Sequence, residues 1–253
     1  MGTPTQNFYG RLQRAYTFFN ERLFKNELPH ALITAQREKN TMGYFAPERW
    51  ASPNGHKAHE IALNPAYFAH HALIEIFQTL VHEQCHLWQH EFGQHKSRRG
   101  YHNKEWAEKM QALGLTPSST GMEGGRITGQ KMSDFPTPGG RFLTVCHDLM
   151  TSGFQLPWVD RFGAPSQACQ IRQHAEAVSN AADNDDEMPI GHELLYTQVS
   201  TLIPDVVALD TIQLAARVKQ KARYHCQGCN TNVWGKPGLD VLCGNCDLPY
   251  QAE

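Results

Sequence analysis

The stretch VHEQCHLWQHEFGQHKSRRGYHNKEW, residues 81–106, contains five histidines and three glutamates. It includes the pattern H-E-x-x-H, formed by His82, Glu83 and His86. Because a helix turns by about 100° per residue, the two histidines lie about 40° apart on one face, and both imidazoles can reach one ion. Glu83 lies about 100° from His82, where its carboxylate can hold a water bound to that ion. The pattern therefore predicts a metal site with a carboxylate beside it.

The residues around this motif have the spacing of a helix that is buried on its broad side. Apolar residues fill about half of the helical circumference, and they are Leu73, Ile76, Phe77, Leu80, Val81, Cys85, Leu87, Trp88 and Phe92. His82 and His86 lie on the opposite side. Gln84 and Glu91 fall inside the apolar arc, and the pattern gives no reason for either. The spacing predicts a helix over about 72–92 that presents two imidazoles to a cleft.

A catalytic zinc ion needs a third protein ligand and an open fourth position. Four later residues are candidates for that ligand: His90, His95, His102 and Glu105. His90 would stack over His86, and His95 lies too close to the end of the helix to fold back. His102 follows the basic turn KSRRG and opens a second predicted helix, which can pack antiparallel to the first. Spacing and turn chemistry favour His102, with Glu105 as the alternative.

The rest of the amino-terminal part mixes helices and strands. Residues 7–26 have the apolar spacing of a helix, and the second helix after the motif is predicted over 103–113. Residues 31–36 and 59–64 are predicted to be strands, and residues 42–45 belong to a further strand or hairpin. These elements predict an α+β domain with a small sheet and an active-site helix.

The composition changes after residue 115. Residues 116–140 hold six glycines and three prolines, which predicts a loop. Within the mixed stretch that follows, residues 170–182 are helix-like, and residues 183–187 form an acidic, solvated loop. A last helix is predicted over about 205–223.

A second metal motif lies near the carboxyl end. Cys226 and Cys229 form one C-x-x-C pair, and Cys243 and Cys246 form another after thirteen intervening residues. Two such pairs, each with a glycine inside, predict a structural zinc ribbon with four thiolate ligands. Since the thiolates fill all four positions, this site is expected to fold the tail and not to catalyse. A redox role is the weaker alternative, because it needs only one pair and a βαβ context that is absent.

Composition limits the classes of partner. The formal net charge of −2 argues against a globally basic nucleic-acid-binding protein, although local patches are compatible with it. No apolar run approaches the ~20 residues of a membrane span, so no membrane partner is expected. The start of the chain has no signal-peptide pattern, which predicts a cytoplasmic location where cysteines stay reduced and serve as metal ligands.

Four segments together resemble those of one known family. The run HEQCH, the later YHNKEW and the upstream segments MGYF and IALNPAYF are similar to those of the SprT-like zinc metallopeptidase family, which includes Spartan. The resemblance covers about residues 7–115, and it implies a catalytic zinc on His82, His86 and His102 with Glu83 as the catalytic acid and base. It departs from the family pattern at Asn103, where a glycine commonly follows the third histidine. The family often carries a carboxyl-terminal zinc ribbon, in agreement with the cysteine motif.

The resemblance and the motifs together predict three regions. Residues 1–115 are a zincin-like metallopeptidase domain, residues 116–223 are a connecting region of unknown role, and residues 224–253 are a small zinc ribbon. Two zinc ions are expected, one catalytic and one structural. The substrate is expected to be a protein or peptide, held in extended form along the edge of a sheet, for which the strand at 59–64 is a candidate.

The resemblance also implies action on proteins bound or crosslinked to DNA. Arg217, Lys219, Lys221 and Arg223 precede the ribbon, and Trp234 could stack on an unpaired base of single-stranded or damaged DNA. The alternative is that the cations are a solvated helix end and Trp234 is the core of the ribbon. Two other functions fit the motifs: a nucleic-acid-binding ribbon protein with a non-catalytic zincin scaffold, and a zinc hydrolase of non-peptide amides.

Overall fold

A computed structural model describes residues 2–38, 41–161, 192–202 and 221–252. The chain divides into two compact units, Met1–Val206 and Val207–Glu253. Within the described residues, no helix is both long enough and apolar enough to cross a membrane.

The helices of the first unit follow the predicted ones closely, so the predictions over 7–26, 72–92 and 103–113 are confirmed. They are α1 (Pro4–Leu23), α2 (Leu73–Phe92), α3 (Lys104–Leu113), α4 (Arg141–Thr151) and α5 (His192–Tyr196), with short 3-10 turns at Pro65–His70 and Val199–Leu202. Helix α1 begins with a capping box, in which the Thr3 hydroxyl accepts from the Gln6 backbone and the Gln6 side chain accepts from the Thr3 backbone.

The sheet of the first unit has three strands, β1 (Ala31–Ala35), β2 (Gly43–Ala51) and β3 (Lys57–Leu63), in the order β1-β3-β2. Strand β1 runs parallel to β3, and β2 runs antiparallel to it. The three predicted strands are confirmed. The idea that the strand at 59–64 offers its edge to a peptide is wrong, because β3 is central and both of its edges are paired.

Helix α2 contacts β2 and β3 of the sheet and also helices α1 and α3. Its buried surface therefore extends beyond the predicted apolar arc and includes the polar residues Glu83, Gln84 and Gln89. The structure supplies the missing reason for Gln84, whose Nε2 donates to the backbone carbonyl of Tyr16 on α1 at 3.0 Å.

The glycine-rich stretch after residue 115 is not only loop. Two short strands, β4 (Leu115–Ser118) and β5 (Ser133–Pro136), pair antiparallel, so the loop prediction is wrong for these residues. The strands were not predicted because glycine and proline are typical of loops, and here Pro117 and Pro136 lie inside a ladder of only four residue pairs.

The buried core of the first unit also includes residues from further along the chain. Apolar side chains, among them Phe142, Leu149, Phe154 and Leu195, join the same buried core as α1 and α2. That residues 1–115 form a domain by themselves stays a prediction.

The second unit contains β6 (Ala222–His225), β7 (Asn232–Gly235) and β8 (Gln251–Ala252) in the order β7-β6-β8. Its small core is Tyr224, which is 1% exposed and whose hydroxyl donates to the carbonyl of Lys236. Trp234 is 62% exposed, so the alternative in which Trp234 forms the core is wrong. The helix predicted over 170–182 and the acidic loop at 183–187 lie outside the described residues. Of the helix predicted over about 205–223, residues 205–220 also lie outside them, whereas residues 222–223 belong to β6 and not to a helix.

Candidate metal centre

Three imidazoles meet beside α2 at one point. His82 and His86 come from successive turns of α2, and His102 comes from the residues just before α3. Nε2 of His102 lies 3.2 Å from Nε2 of His82 and 3.0 Å from Nε2 of His86. Tetrahedral zinc with Zn–N bonds of 2.0–2.1 Å would separate its nitrogen ligands by about 3.3 Å. The three nitrogens thus have nearly the spacing of one face of a zinc tetrahedron.

The outer nitrogens of two of these rings are held by acceptors. Nδ1–H of His82 donates to Oδ2 of Asp134 at 2.9 Å, and Nδ1–H of His102 donates to the carbonyl oxygen of Gly129 at 3.2 Å. Since a carboxylate and a carbonyl can only accept, each Nδ1 carries a proton, and in the neutral form of each ring Nε2 presents a lone pair. Lone pairs at this distance repel each other unless a cation lies between them. The donor set therefore fits a metal ion.

Burial keeps two of the rings neutral. It lowers the pKa of His102 to about 4, with the charge of His82 adding to the effect. The pKa of His86 is lowered well below its usual value by burial and then by His82 and His102. For His82, burial opposes protonation, but the hydrogen bond to Asp134 and the charges of Glu83 and Asp134 raise its pKa on balance. Neutral imidazoles are the form that binds metals.

Glu83 lies beside this cluster, is 6% exposed and lines the same cleft as the three histidines. Burial raises its pKa to about 7, and the carboxylate of Asp134 adds to this effect, while His82 and a hydrogen bond from the backbone of Phe45 oppose it. A carboxylate with a pKa near neutrality is suited to take up a proton and give it back.

The indole ring of Trp106 packs against all three imidazole rings. It is fully buried, and its ring centroid lies 4.8 Å from His82, 5.2 Å from His86 and 4.4 Å from His102. The ring of His86 is nearly parallel to the indole, at 21°. One aromatic surface thus fixes the plane of each imidazole.

The residues that follow His102 explain how it reaches the pair on α2. Asn103 is the cap of α3: its Oδ1 accepts from the Trp106 backbone at 3.0 Å and from Nε2 of Gln89 at 2.7 Å, and its Nδ2 donates to the carbonyl of His95 at 2.8 Å. The residue that departs from the family pattern is therefore the one that ties α3 to α2 and to the turn between them.

Glu105, the alternative third ligand, is engaged elsewhere. Its two carboxylate oxygens accept from the backbone of Gln94 at 2.7 Å and of His95 at 2.9 Å. Although burial raises its pKa, these hydrogen bonds lower it on balance. Glu105 holds the turn after α2, and the structure places His102, not Glu105, against His82 and His86.

The three histidines and Glu83 line a cleft of about 1500 Å³. The cleft is also lined by Tyr44, Phe45 and Ala46 of β2, by the turn at 96–102 and by residues 130–136. Gly43 allows β2 to lie this close to α2, because a Cβ there would come within 2.7 Å of Cγ2 of Thr79 and 2.9 Å of the Ala62 carbonyl.

The second unit brings together the four predicted cysteines. The sulfurs of Cys226, Cys229, Cys243 and Cys246 lie within 4.8 Å of one another, and those of Cys229 and Cys243 are 3.6 Å apart. Tetrahedral zinc with Zn–S bonds of 2.3 Å separates its sulfurs by about 3.8 Å. Hydrogen bonds from Thr231 lower the pKa of Cys229 to about 6, which favours the thiolate that binds metals. This donor set also fits a zinc ion.

A further group, His59, His90 and Glu91, has its donor atoms within 4.8 Å of one another. The backbone N–H of Glu48 donates to Nδ1 of His59 at 3.1 Å, so Nε2 of His59 carries the proton and donates to Glu91 at 3.2 Å. A protonated nitrogen is not a metal ligand. The group is a hydrogen-bonded contact between β3 and α2, and it accounts for Glu91 inside the apolar arc.

The two acceptors that bind the outer nitrogens of the histidines, Asp134 and Gly129, were not predicted. Both lie in the stretch that composition assigned to a loop: Asp134 is 52 positions from His82, and Gly129 is 27 positions from His102. No periodic pattern links them to α2. Only the antiparallel pairing of His102 with Gly129 and of β4 with β5 brings them to the site.

Comparisons with known proteins agree with the geometry. The model of the SprT-like family matches residues 12–123. A Salmonella typhimurium protein described as "Uncharacterized protein in mucB 3'region" is 54% identical over 59 residues, which are 23% of this chain and 80% of that protein. No solved structure matches the chain significantly.

Proposed function

Because this chain belongs to the SprT-like family, whose members are of the metallopeptidase type, we propose that it is a zinc-dependent endopeptidase. The proposed zinc ligands are His82, His86 and His102, and Glu83 is the proposed general base and acid. The observation that carries this proposal is the meeting of three Nε2 atoms whose lone pairs, in His82 and His102, are turned inward by Asp134 and Gly129.

A zinc ion bound there would polarise the scissile carbonyl and acidify a water molecule. Glu83, which lines the same cleft as the three histidines, would hold a water molecule, accept its proton and pass that proton to the leaving amine. Burial raises the pKa of Glu83 to about 7, so its carboxylate is suited to take up a proton and to release it near neutral pH. On the side of the core, Trp106 and Cys85 are fully buried, so water does not reach the site from that side.

Strand β2 is the proposed docking edge for the substrate. Among the described residues no strand pairs with its outer edge, and the same strand lines the cleft at Tyr44, Phe45 and Ala46. An extended peptide can pair with this edge through its backbone, which places the scissile bond over the histidines and requires little of the side chains.

The four-cysteine cluster is proposed to hold a second, structural zinc ion. Four thiolates complete a tetrahedron and leave no position for water or substrate. Apart from Tyr224, few large side chains are buried among residues 221–252, the described part of this unit, so a metal ion is expected to supply much of its stability.

We further propose that the ribbon contacts DNA and directs the peptidase to DNA-bound proteins. Arg223 on β6 pairs in register with Trp234 on β7, so the two side chains share one face of the hairpin, opposite the buried Tyr224. Lys221 and Lys236 are exposed at the same end of these strands. A cation can neutralise a phosphate and an exposed indole can stack on an unpaired base.

Cleavage of casein or a histone, with and without a chelator, tests the peptidase proposal. The expected result is cleavage that stops when the metal is removed and returns when zinc is added. If the intact, zinc-loaded protein leaves both substrates uncut, the result would favour the alternative in which the ribbon binds nucleic acid and the amino-terminal domain is a non-catalytic scaffold. Cleavage of small amides alone would favour the non-peptide hydrolase.

A further inference from the structure

We propose that Asp134 is a positioning residue that orients His82 as a metal ligand, and that β5 is therefore part of the metal centre. The proposal rests on the proposed function, because it assigns a role toward the zinc ion assumed there. It concerns a residue outside residues 12–123, the segment that matches the SprT-like family.

Asp134 is held so that each carboxylate oxygen has its own task. Nε2 of Gln78, one turn before His82 on α2, donates to Oδ1 of Asp134 at 3.0 Å and to its backbone carbonyl at 2.9 Å. Oδ2 is left for Nδ1–H of His82 at 2.9 Å. Asp134 is 8% exposed, so water does not compete strongly for these bonds.

The carboxylate is not itself placed as a ligand. It lies against Nδ1 of His82, whereas the nitrogen that faces His86 and His102 is Nε2, on the other side of the ring. A carboxylate in this position fixes the tautomer, stops rotation of the ring and makes the imidazole a stronger donor toward a metal. Loss of such a partner in other metal sites weakens metal binding by about 10–100-fold.

The backbone also explains why β5 is at the site. Strand β5 pairs with β4, which directly follows α3, and Asp134 stands opposite Pro117 in that ladder. The same connecting stretch supplies the Gly129 carbonyl to His102. The stretch after residue 123 therefore provides the hydrogen-bond acceptors for His82 on α2 and for His102 before α3.

The experiment compares Asp134→Ala and Asp134→Asn with Asp148→Asn, all in the full chain. Asp148 lies on α4 and is exposed, so its substitution makes the same change of charge away from the centre. The asparagine variant keeps an oxygen for His82, and Gln78 can turn its Oε1, which has no partner, toward the new amide. Asparagine therefore separates the loss of charge from the loss of the hydrogen bond.

The first readout is metal affinity, measured by competition with a chelator using cobalt(II) as the probe. The four-thiolate site gives sulfur-to-cobalt charge-transfer absorption, and the histidine site gives only ligand-field bands, so the two sites are followed separately. We expect Asp134→Ala to weaken cobalt binding at the histidine site by about 10–100-fold, Asp134→Asn to weaken it less, and Asp148→Asn to leave it unchanged. The ribbon bands should stay the same in all three variants.

Thermal unfolding of the same samples separates positioning from simple support of the fold. A variant Asp134→Ala that binds cobalt as tightly as the original chain would overturn the proposal, whether or not it is less stable. Equal weakening by Asp134→Ala and Asp148→Asn would overturn it as well. Because cobalt affinity is read without any substrate, the proposal can hold even if the chain cleaves no peptide, and that result would count against the peptidase proposal alone.

Discussion

The two candidate metal centres differ in how far apart their residues lie in the sequence. The four cysteines fall within residues 226–246, and each pair is made by a tight knuckle. The histidine centre takes its parts from residues 82 to 134, on α2, on the turn before α3 and on β5. A site whose residues are close in sequence can be recognised from a short motif. A site whose residues come from distant segments forms only when the fold brings those segments together.

The difference in assembly goes with a difference in chemistry. The thiolate centre uses all of its positions for protein sulfurs, which suits a metal that stabilises a fold. The histidine centre offers three nitrogens next to a cleft and a buried carboxylate, which leaves room for a reacting molecule. Four predictions sharpen this contrast between a closed and an open site.

The largest effect is expected at the closed site. Cys226→Ser should remove one equivalent of zinc and unfold the second unit, because structural zinc binding contributes roughly 10–16 kcal/mol to folding in comparable small domains. Metal analysis and circular dichroism measure this, and cleavage of a short peptide should be unaffected. Asn245→Ser, an exposed position in the same knuckle, is the matched control. A single zinc ion in the intact, freshly purified protein would contradict the two-site assignment.

At the open site, Glu83→Gln should reduce kcat/KM by about 10²–10⁴-fold while zinc content stays unchanged. The reason is that glutamine keeps the size of the side chain but can neither take up nor deliver a proton. Steady-state cleavage of a labelled peptide measures the effect. Glu91→Gln makes the same change two turns later on α2, outside the centre, and should retain full turnover. Near-normal activity of Glu83→Gln would refute its role as the base.

The choice of third ligand gives the next contrast. His102→Ala should lower the zinc affinity of the histidine centre by more than the ~100-fold that marks the upper range for an outer partner. Glu105→Ala should leave zinc in place, because its carboxylate holds the backbone of Gln94 and His95. Zinc titration against a chelator decides between them. The opposite pattern, zinc lost only from Glu105→Ala, would move the third ligand to Glu105.

The smallest effect concerns DNA. Trp234→Ala should weaken binding of single-stranded DNA by ~1–3 kcal/mol, or roughly 5–150-fold, through loss of one stacked base. Fluorescence anisotropy over a salt series measures this, and binding should fall steeply as salt rises. Trp158→Ala is the control, since Trp158 is also exposed but lies in the first unit. Equal affinities for both variants would make the ribbon a structural or protein-docking module.

The sequence predicted what depends on local spacing. The helical period of residues 72–92 and the motif HEQCH placed His82, Glu83 and His86 on the correct faces of α2. The turn KSRRG and the spacing to the second predicted helix were enough to favour His102. The four-cysteine cluster also follows from spacing alone, because each knuckle is closed by its own backbone.

The parts that could not be predicted depend on pairings between distant segments. The strands β4 and β5 were missed because glycine and proline dominate residues 116–140, and Asp134 was missed with them. The order of the sheet was misjudged as well: β3 is central because β1 joins it in parallel, a crossover that strand periodicity does not encode. Both errors concern long-range neighbours of correctly predicted elements.

The indole beneath the histidines has a practical consequence. Trp106 is one of five tryptophans, and it is fully buried with all three imidazoles against its ring. Its emission should therefore lie at shorter wavelength than that of the exposed Trp50, Trp158 and Trp234. A paramagnetic ion such as cobalt(II) or copper(II), held by those rings, would quench it by proximity. The fluorescence of Trp106 should therefore report whether an ion is bound at the three histidines, without any added label.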